Sequence, residues 1–266
     1  MSNYAQLIAS ACAVTARAAA AIREIYARED HQVEAKADDS PLTAADLASH
    51  RILVEGLSAL DPTIPVLSEE SGPEVMEQRH GWSRLWVVDP LDGTREFVSR
   101  NGQFAICVAL IEQGEAVAGV IHRPVGDEIF RAARGEGAES VIGGQSRPLR
   151  VANPARSPPR VVVSRSHRNQ DTEDYLQRLG PHAAISAGSA IKFARIAAGE
   201  ADLYPRLGFG GFEWDVAAGQ VLIEEAGGHL YALDGRVPRY NKPDTLRAGS
   251  FIAFGQQQAR WMECLP

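Results

Sequence analysis

The segment Trp86–Phe97, W-V-V-D-P-L-D-G-T-R-E-F, sets two carboxylates three positions apart across a proline. Apolar residues lead into Asp89. Pro90 stops any regular continuation. Asp92 follows, and Gly93-Thr94 opens a new helix. Paired carboxylates at the end of a buried strand make an oxygen-rich corner, which suits a hard divalent cation such as Mg²⁺. Backbone N–H groups at the helix start favour a phosphate beside it. Asp next to Pro and Gly is also ordinary turn chemistry, but a turn accounts for one Asp better than for two followed by Thr94.

Other groups add to this corner. Glu69 and Glu70 follow a short apolar run about twenty residues earlier, and spacing alone does not choose between them. Asp215 follows Phe212-Glu-Trp214 and precedes V-A-A-G-Q-V-L-I-E-E-A-G-G. It reads as a helix N-cap, as a third metal carboxylate, or as both, since a helix start and a cation each stabilise its charge. Asp46 sits in the first turn of a helix and makes a possible acid/base pair with Thr94. Arg95, Arg165, His167, Arg168, Lys192, Arg195 and Arg206 are candidate anion ligands. Most lie at strand ends or helix starts, where α/β proteins bind ligands. Ser189 and Lys192, in the first turn of one helix, suit a phosphate.

The elements that position these groups follow from periodicity. Ala5–Arg28 has apolar residues at helical spacing, and Thr43–Leu60 is a helix that Thr43 caps. Pro65–Leu67 is a short strand. Phe104–Ile111, Ala116–His122 and Glu128–Ala133 are strands, the first two joined by a hairpin at Glu112–Glu115. Proline-rich 143–159 reads as a connection between halves 1–152 and 153–266. The second half alternates: strands at 160–164, 183–186, 202–204, 229–232 and 250–253, helices at 172–179, 189–198 and 216–226. Helices before strands, then alternation, predict a layered α/β sandwich.

The chain has 266 residues and a net charge of −7, which does not favour nucleic-acid or acidic-membrane binding. Cys12, Cys107 and Cys264 are odd in number without C-x-x-C spacing, which argues for a reducing compartment and against a zinc site. No run reaches the roughly 18 apolar residues of a membrane span. The expectation is a cytoplasmic protein.

V-L-S-E-E-S (66–71), the Trp86–Phe97 segment, W-D-V-A-A-G (214–219) and E-A-G-G (225–228) together resemble the inositol monophosphatase family, in order and separation, over essentially the whole chain. Within it the chain is most similar to the CysQ group of 3′(2′),5′-bisphosphate nucleotidases, through D-G-T-R-E-F, V-S-R-S-H (163–167), G-S-A-I-K-F (188–193), A-D-L-Y-P-R (201–206) and Y-N-K-P (240–243). The resemblance implies an αβαβα fold like that of fructose-1,6-bisphosphatase. It implies two or three Mg²⁺ ions held by Glu69 (rather than Glu70), Asp89, the Leu91 carbonyl, Asp92 and Asp215. Gly93 and Thr94 would hold phosphate, and Asp46 with Thr94 would activate water. Ser189, Lys192, Arg206 and His167 would contact a nucleotide and its second phosphate. The implied substrate is 3′-phosphoadenosine 5′-phosphate, a by-product of sulfate assimilation, cleaved to AMP and phosphate by a monomer or homodimer. Peripheral contact with the inner membrane face is compatible with this reading. The alternatives are an inositol or histidinol phosphate phosphatase, and a non-catalytic nucleotide- or Mg²⁺-binding regulator. The loop Gly208–Glu213 departs from the family and bears on substrate preference.

Overall fold

The computed structural model describes residues 3–28, 34–35, 41–166, 169–256 and 258–265. The first elements are α1 (Asn3–Tyr26), a two-residue pair β1 (Glu34–Ala35) and β2 (Pro41–Leu42), α2 (Ala44–Leu60) and β3 (Val66–Ser68). The short helix α3 (Pro73–Gln78) and a 3₁₀ turn (Arg79–Gly81) lead to β4 (Arg84–Asp92) and α4 (Thr94–Val98). Five strands follow: β5 (Ala105–Glu112), β6 (Glu115–Arg123), β7 (Glu128–Ala133), β8 (Gly137–Ile142) and β9 (Gln145–Pro148). Then come β10 (Arg160–Ser164), α5 (Gln170–Leu179), β11 (Ala183–Ala187), α6 (Ile191–Ala197), β12 (Leu203–Arg206) and α7 (Glu213–Glu225). The chain ends with β13 (His229–Ala232), β14 (Phe251–Phe254) and α8 (Gln258–Met262).

Strands β3 to β9 form one seven-stranded sheet in sequence order. It is antiparallel except for the parallel β3–β4 pair. A second sheet has the order β11-β10-β12-β14-β13. Its β10 runs parallel to β11 and β12, while β14 is antiparallel to both β12 and β13. Strand alternation sorts side chains into three apolar layers. Trp86 and Val88 of β4, with Ile106, Val108 and Leu110 of β5, face Ile8, Ala11, Ile22, Leu53 and Leu57 of α1 and α2. The intervening Leu85, Val87, Ala105, Cys107 and Ala109 face α6 and α7. Those helices also cover one face of the second sheet, through Val162, Phe251 and Ala253. The other face buries Val161, Val163, Ile252 and Phe254 against Tyr175, Leu176 and Trp261. The result is helix, sheet, helix, sheet, helix: the αβαβα sandwich that the resemblance implies.

Several local expectations need correction. The stretch 143–159 is not connection throughout, because β9 pairs with β8 at its start. β9 is fully exposed and polar, so it carries no alternating apolar signal. α1 contains an 18-residue window of mean hydropathy 1.5, long and apolar enough by composition to cross a membrane. Its many alanines raise the average without forming an unbroken apolar run. In the fold, Ile8, Val14, Ala18, Ile22 and Ile25 are buried, and the helix packs against α2 and β6.

The layers fit closely where α7 crosses the first sheet. A Cβ on Gly119 of β6 would lie 2.8 Å from the Ala218 Cα and 2.9 Å from its carbonyl oxygen. That obstacle is backbone, which cannot rotate away. Gly119→Ala should therefore destabilise the protein by about 1–3 kcal/mol through overpacking. Urea unfolding checks this, and a variant as stable as the parent would contradict the packing described.

Candidate active site

The site begins at a break in β4. Asp89 pairs with Cys107 and Asp92 with Ala105, with a register shift between them. Pro90 has no N–H for the ladder, and its carbonyl accepts instead from Ser49 Oγ of α2 at 2.7 Å. The Asp89 carboxylate folds back to accept the Leu91 N–H at 2.9 Å. Gly93, at φ 94°, turns the chain into α4. Glu69 N donates to the Val88 carbonyl at 3.0 Å, which extends the β3–β4 pairing and sets Glu69 beside Asp89.

α7 supplies the third carboxylate. Asp215 is not the N-cap. Phe212 holds that position, and Asp215, in the first turn, accepts the Phe212 N–H at 2.8 Å. Gly211, at φ 100°, lies against this carboxylate, and a side chain there would overlap Asp215 Oδ2. Glu69, Asp89 and Asp215 bring one oxygen each within 4.8 Å of one another. Opposite ligands of an octahedral Mg²⁺ stand about 4.2 Å apart, so this all-oxygen set fits one such ion with little adjustment.

Burial pushes Asp89 well above the usual carboxylate range, and the charges of Glu69, Asp92 and Asp215 push it further. Asp215 is raised to about 8 by burial first and by Asp92 and Glu69 next. Both groups bind protons more tightly in the folded chain than in the unfolded one. Without metal, stability should therefore fall as pH rises from about 4 towards 8. The melting temperature of chelator-treated protein should drop between pH 6 and pH 8. Added Mg²⁺ should raise it more at pH 8, where protons compete less. A Mg²⁺ increment that is equal at both pH values would count against the cluster.

Asp92 stands apart from the trio. Its Oδ2 accepts from Ser189 Oγ at 2.9 Å and from the Ala190 N–H. Among the described residues no hydrogen bond is recorded to Oδ1, which leaves that oxygen for a metal. Burial raises the Asp92 pKa, while nearby Lys192 and the Ser189 hydrogen bond lower it. Ser189 is thus not a first-turn helix residue. It precedes α6 in a left-handed conformation, φ 57°, and its hydroxyl is directed to Asp92. Lys192 is buried, and burial lowers its pKa against the attraction of Asp92. Its ammonium lies 5.6 Å from the centre of the Tyr204 ring.

Asp46 is both a capping residue and a partner of Thr94. Its Oδ2 accepts from the Thr43 N–H at 2.8 Å and the Thr43 hydroxyl at 2.6 Å, and its Oδ1 accepts from Thr94 Oγ1 at 3.2 Å. Thr94 Oγ1 also lies 3.4 Å from the Leu91 carbonyl.

One cleft of about 220 Å³ collects these groups. Glu69, Asp89, Asp92 and Asp215 line it together with Lys192 and Arg206. Leu91, Gly93, Thr94 and Ser189 line it as well. Asp46 reaches it through Thr94. His167 lies outside the described residues, as does Arg168. Arg195 pairs with Glu200 at 3.3 Å and does not line the cleft. Y-N-K-P holds the start of α7 and does not line the cleft either. Lys242 Nζ meets Glu213 at 2.5 Å, and Asn241 bonds to the Arg79 and Trp82 carbonyls. Glu225 of E-A-G-G likewise accepts the Gly135 and Gly137 N–H groups of the β7–β8 turn.

Several lining residues had no assigned role in the sequence reading, and two of them stand out. Glu96 is buried and accepts from Ser166 Oγ at 2.5 Å. It lies in α4, four residues after Asp92 but across the left-handed turn at Gly93, so no single period in the sequence links the two. Phe209, in the atypical loop, is the other.

Comparison with known proteins agrees with this geometry. The sequence model of the inositol monophosphatase family matches residues 3–265. The 3′(2′),5′-bisphosphate nucleotidase CysQ of Salmonella typhimurium strain LT2 is 43% identical over 235 residues, 88% of this chain and 94% of that protein. CysQ of Escherichia coli strain K12 is 43% identical over 226 residues, 85% of this chain and 90% of that one. The crystal structure of CysQ from Bacteroides thetaiotaomicron superposes with a TM-score of 0.83 at 35% identity, covering 96% of this chain and 99% of that one.

Proposed function

The chain belongs to the inositol monophosphatase family, and on that premise we propose that it is a Mg²⁺-dependent phosphatase that removes the 3′-phosphate of 3′-phosphoadenosine 5′-phosphate to give AMP and phosphate. Its 3′(2′),5′-bisphosphate nucleotidase class follows from the CysQ relatives at 43% identity over most of the chain. The observation that carries the substrate is that one cleft holds both kinds of charge: the carboxylates Glu69, Asp89 and Asp215 and the cations Lys192 and Arg206. A monophosphate needs the carboxylate set alone. A bisphosphate also needs cations for the phosphate that is not cleaved.

Glu69, Asp89, the Leu91 carbonyl, Asp92 and Asp215 would hold two or three Mg²⁺ ions. When bound, Mg²⁺ lowers the pKa of a coordinated water and offsets charge on the phosphoryl group. The protein's own share is positioning. Thr43 fixes Asp46, and Asp46 engages the Thr94 hydroxyl hydrogen. The oxygen lone pairs of Thr94 would then accept a hydrogen bond from the attacking water, and as the water proton moves to Thr94 the hydroxyl proton of Thr94 would move to Asp46. Gly93 and Thr94 seat the phosphate to be cleaved. Lys192 and Arg206 hold the other, with His167 as a further candidate. In this reading residues 1–152 supply most of the metal ligands and residues 153–266 complete the site. Three free cysteines suit a cytoplasmic monomer or homodimer.

A Mg²⁺ assay across 3′-phosphoadenosine 5′-phosphate, inositol 1-phosphate and fructose 1,6-bisphosphate tests the substrate. The nucleotide should be preferred. Arg206→Ala should lose about tenfold or more on the nucleotide, the worth of one charge-assisted contact, and much less on inositol 1-phosphate. Equal losses on both would overturn the second-phosphate role. Lys192→Ala is a less clean test, because Lys192 also balances Asp92.

Asp92→Asn should lower kcat about a hundredfold or more at saturating Mg²⁺, since even residues that merely support metal ligands are worth 10–100-fold. The Asn carbonyl can still accept from Ser189 and Ala190, so the melting temperature should stay close to that of the parent. Near-normal turnover would contradict Asp92 as a ligand.

A further inference from the structure

We propose that Phe209, with Arg247 beside it, is the platform on which the nucleobase of the substrate stacks, and that it sets the preference for nucleotides over non-aromatic phosphate esters. The inference rests on the nucleotidase reading above and adds the part of the site that recognises the base.

Six large apolar side chains are exposed among the described residues, and Phe209, at 46%, is the one aromatic among them. It is also the one of the six that lines the carboxylate cleft. A half-exposed phenyl ring beside a phosphate site is an unburied apolar surface where a ligand will lie. The Arg247 guanidinium carbon stands 5.3 Å from the ring centre. Behind Phe209 the aromatic series continues into the wall. Phe209 meets Phe212 edge-on at 5.5 Å, and Phe212 stacks on Trp214 at 5.0 Å and 15°. Trp214 adjoins the metal carboxylate Asp215, so the series links the metal corner to the exposed ring.

The loop that presents Phe209 is fastened on both sides. Ser250 Oγ donates to the Gly208 carbonyl at 2.9 Å, Ala248 N to Gly211 O at 2.9 Å, and Glu213 N to Leu246 O at 2.8 Å. Phe212 and Arg247 form a β-bridge. Gly210 lies so close to Gly249 that any side chain would overlap its carbonyl. The ring is therefore held on a fixed frame, and stacking on it needs little further ordering.

A nucleobase offers a flat π-face to both a phenyl ring and a guanidinium. An inositol ring is puckered and hydroxylated and offers none. A platform here discriminates between them without contacting either phosphate.

The test compares wild type, Phe209→Ala, Phe209→Trp and Arg247→Ala on two probes: 3′-phosphoadenosine 5′-phosphate and methyl riboside 3,5-bisphosphate, which keeps both phosphates and lacks the base. Phe209→Ala should raise KM for the nucleotide about tenfold or more, the measured range for base–aromatic stacking, with kcat little changed. It should leave the base-free probe unaffected. Phe209→Trp should restore the KM. Arg247→Ala should raise it about two- to fivefold. Equal effects on both probes, or none on either, would overturn the platform while leaving the nucleotidase reading in place. A wild type that cleaves inositol 1-phosphate but not the nucleotide would overturn both.

Discussion

Mutual repulsion among Glu69, Asp89 and Asp215 is the constraint around which the rest of the molecule is arranged. Two ionised carboxylates 4.8 Å apart repel by about 3.5 kcal/mol at an effective dielectric of 20. Three such pairs approach the roughly 5–15 kcal/mol net stability of a whole protein. The carboxylates come from three separate elements, the end of β3, the end of β4 and the start of α7, so nothing local forces them together. Asp89 and Asp215 titrate high through burial first and this repulsion next, and binding a proton relieves both. A divalent cation relieves the repulsion too. Until one of these arrives, apolar packing must hold the cluster.

That packing is why the layers matter to function. Gly119 and the small residues Ala105 and Ala109 on one face of the sheet let α7 approach closely, and α7 carries Asp215 into place. Glu213, two residues before Asp215, is fully buried and tied by Lys242 and by the Asn241 N–H. Glu225, at the other end of the same helix, is bonded to the β7–β8 turn. α7 is thus fixed at both ends and along its middle. The Lys242–Glu213 ion pair, with Glu213 buried and Lys242 partly exposed, adds little net stability. Its effect is to fix where the helix starts, and the position of the Asp215 carboxylate two residues on depends on it.

The sequence reading and the structure agree most closely where the signal is local. The apolar runs of β4 and β5, buried on both faces, and the helical period of α1 and α2 were readable because they lie in short stretches of contiguous sequence. The D-P-L-D-G-T corner was readable because Pro90 and Gly93 have few other uses at those places. Strand β9 was missed because Gln145–Pro148 is a polar, exposed edge. The placement of Ser189 in a first helical turn was wrong for a different reason. Spacing from Lys192 suggested a helix start, and only the tertiary fold brings Asp92 within 2.9 Å of it. Thr43 was readable as the cap of α2, with Asp46 at capping-box spacing, whereas Ser49 could not be picked out as a support of the site, since its partner is the Pro90 carbonyl and such a contact has no sequence signature.

The same distinction separates the metal-and-phosphate chemistry proposed for the cleft from its selectivity. The carboxylate corner is bound to β3, β4 and α7, and a change there disturbs both packing and charge. The loop Gly208–Glu213 is held mainly by backbone hydrogen bonds to residues 246–250 and by two close glycines, and Phe209 projects from it half-exposed, touching Phe212 and Arg247. Side chains at such a position can change with little loss of stability. Substrate choice in this protein therefore resides where the fold imposes least, on a rigid loop carrying an exposed ring, while bond cleavage resides where the fold imposes most.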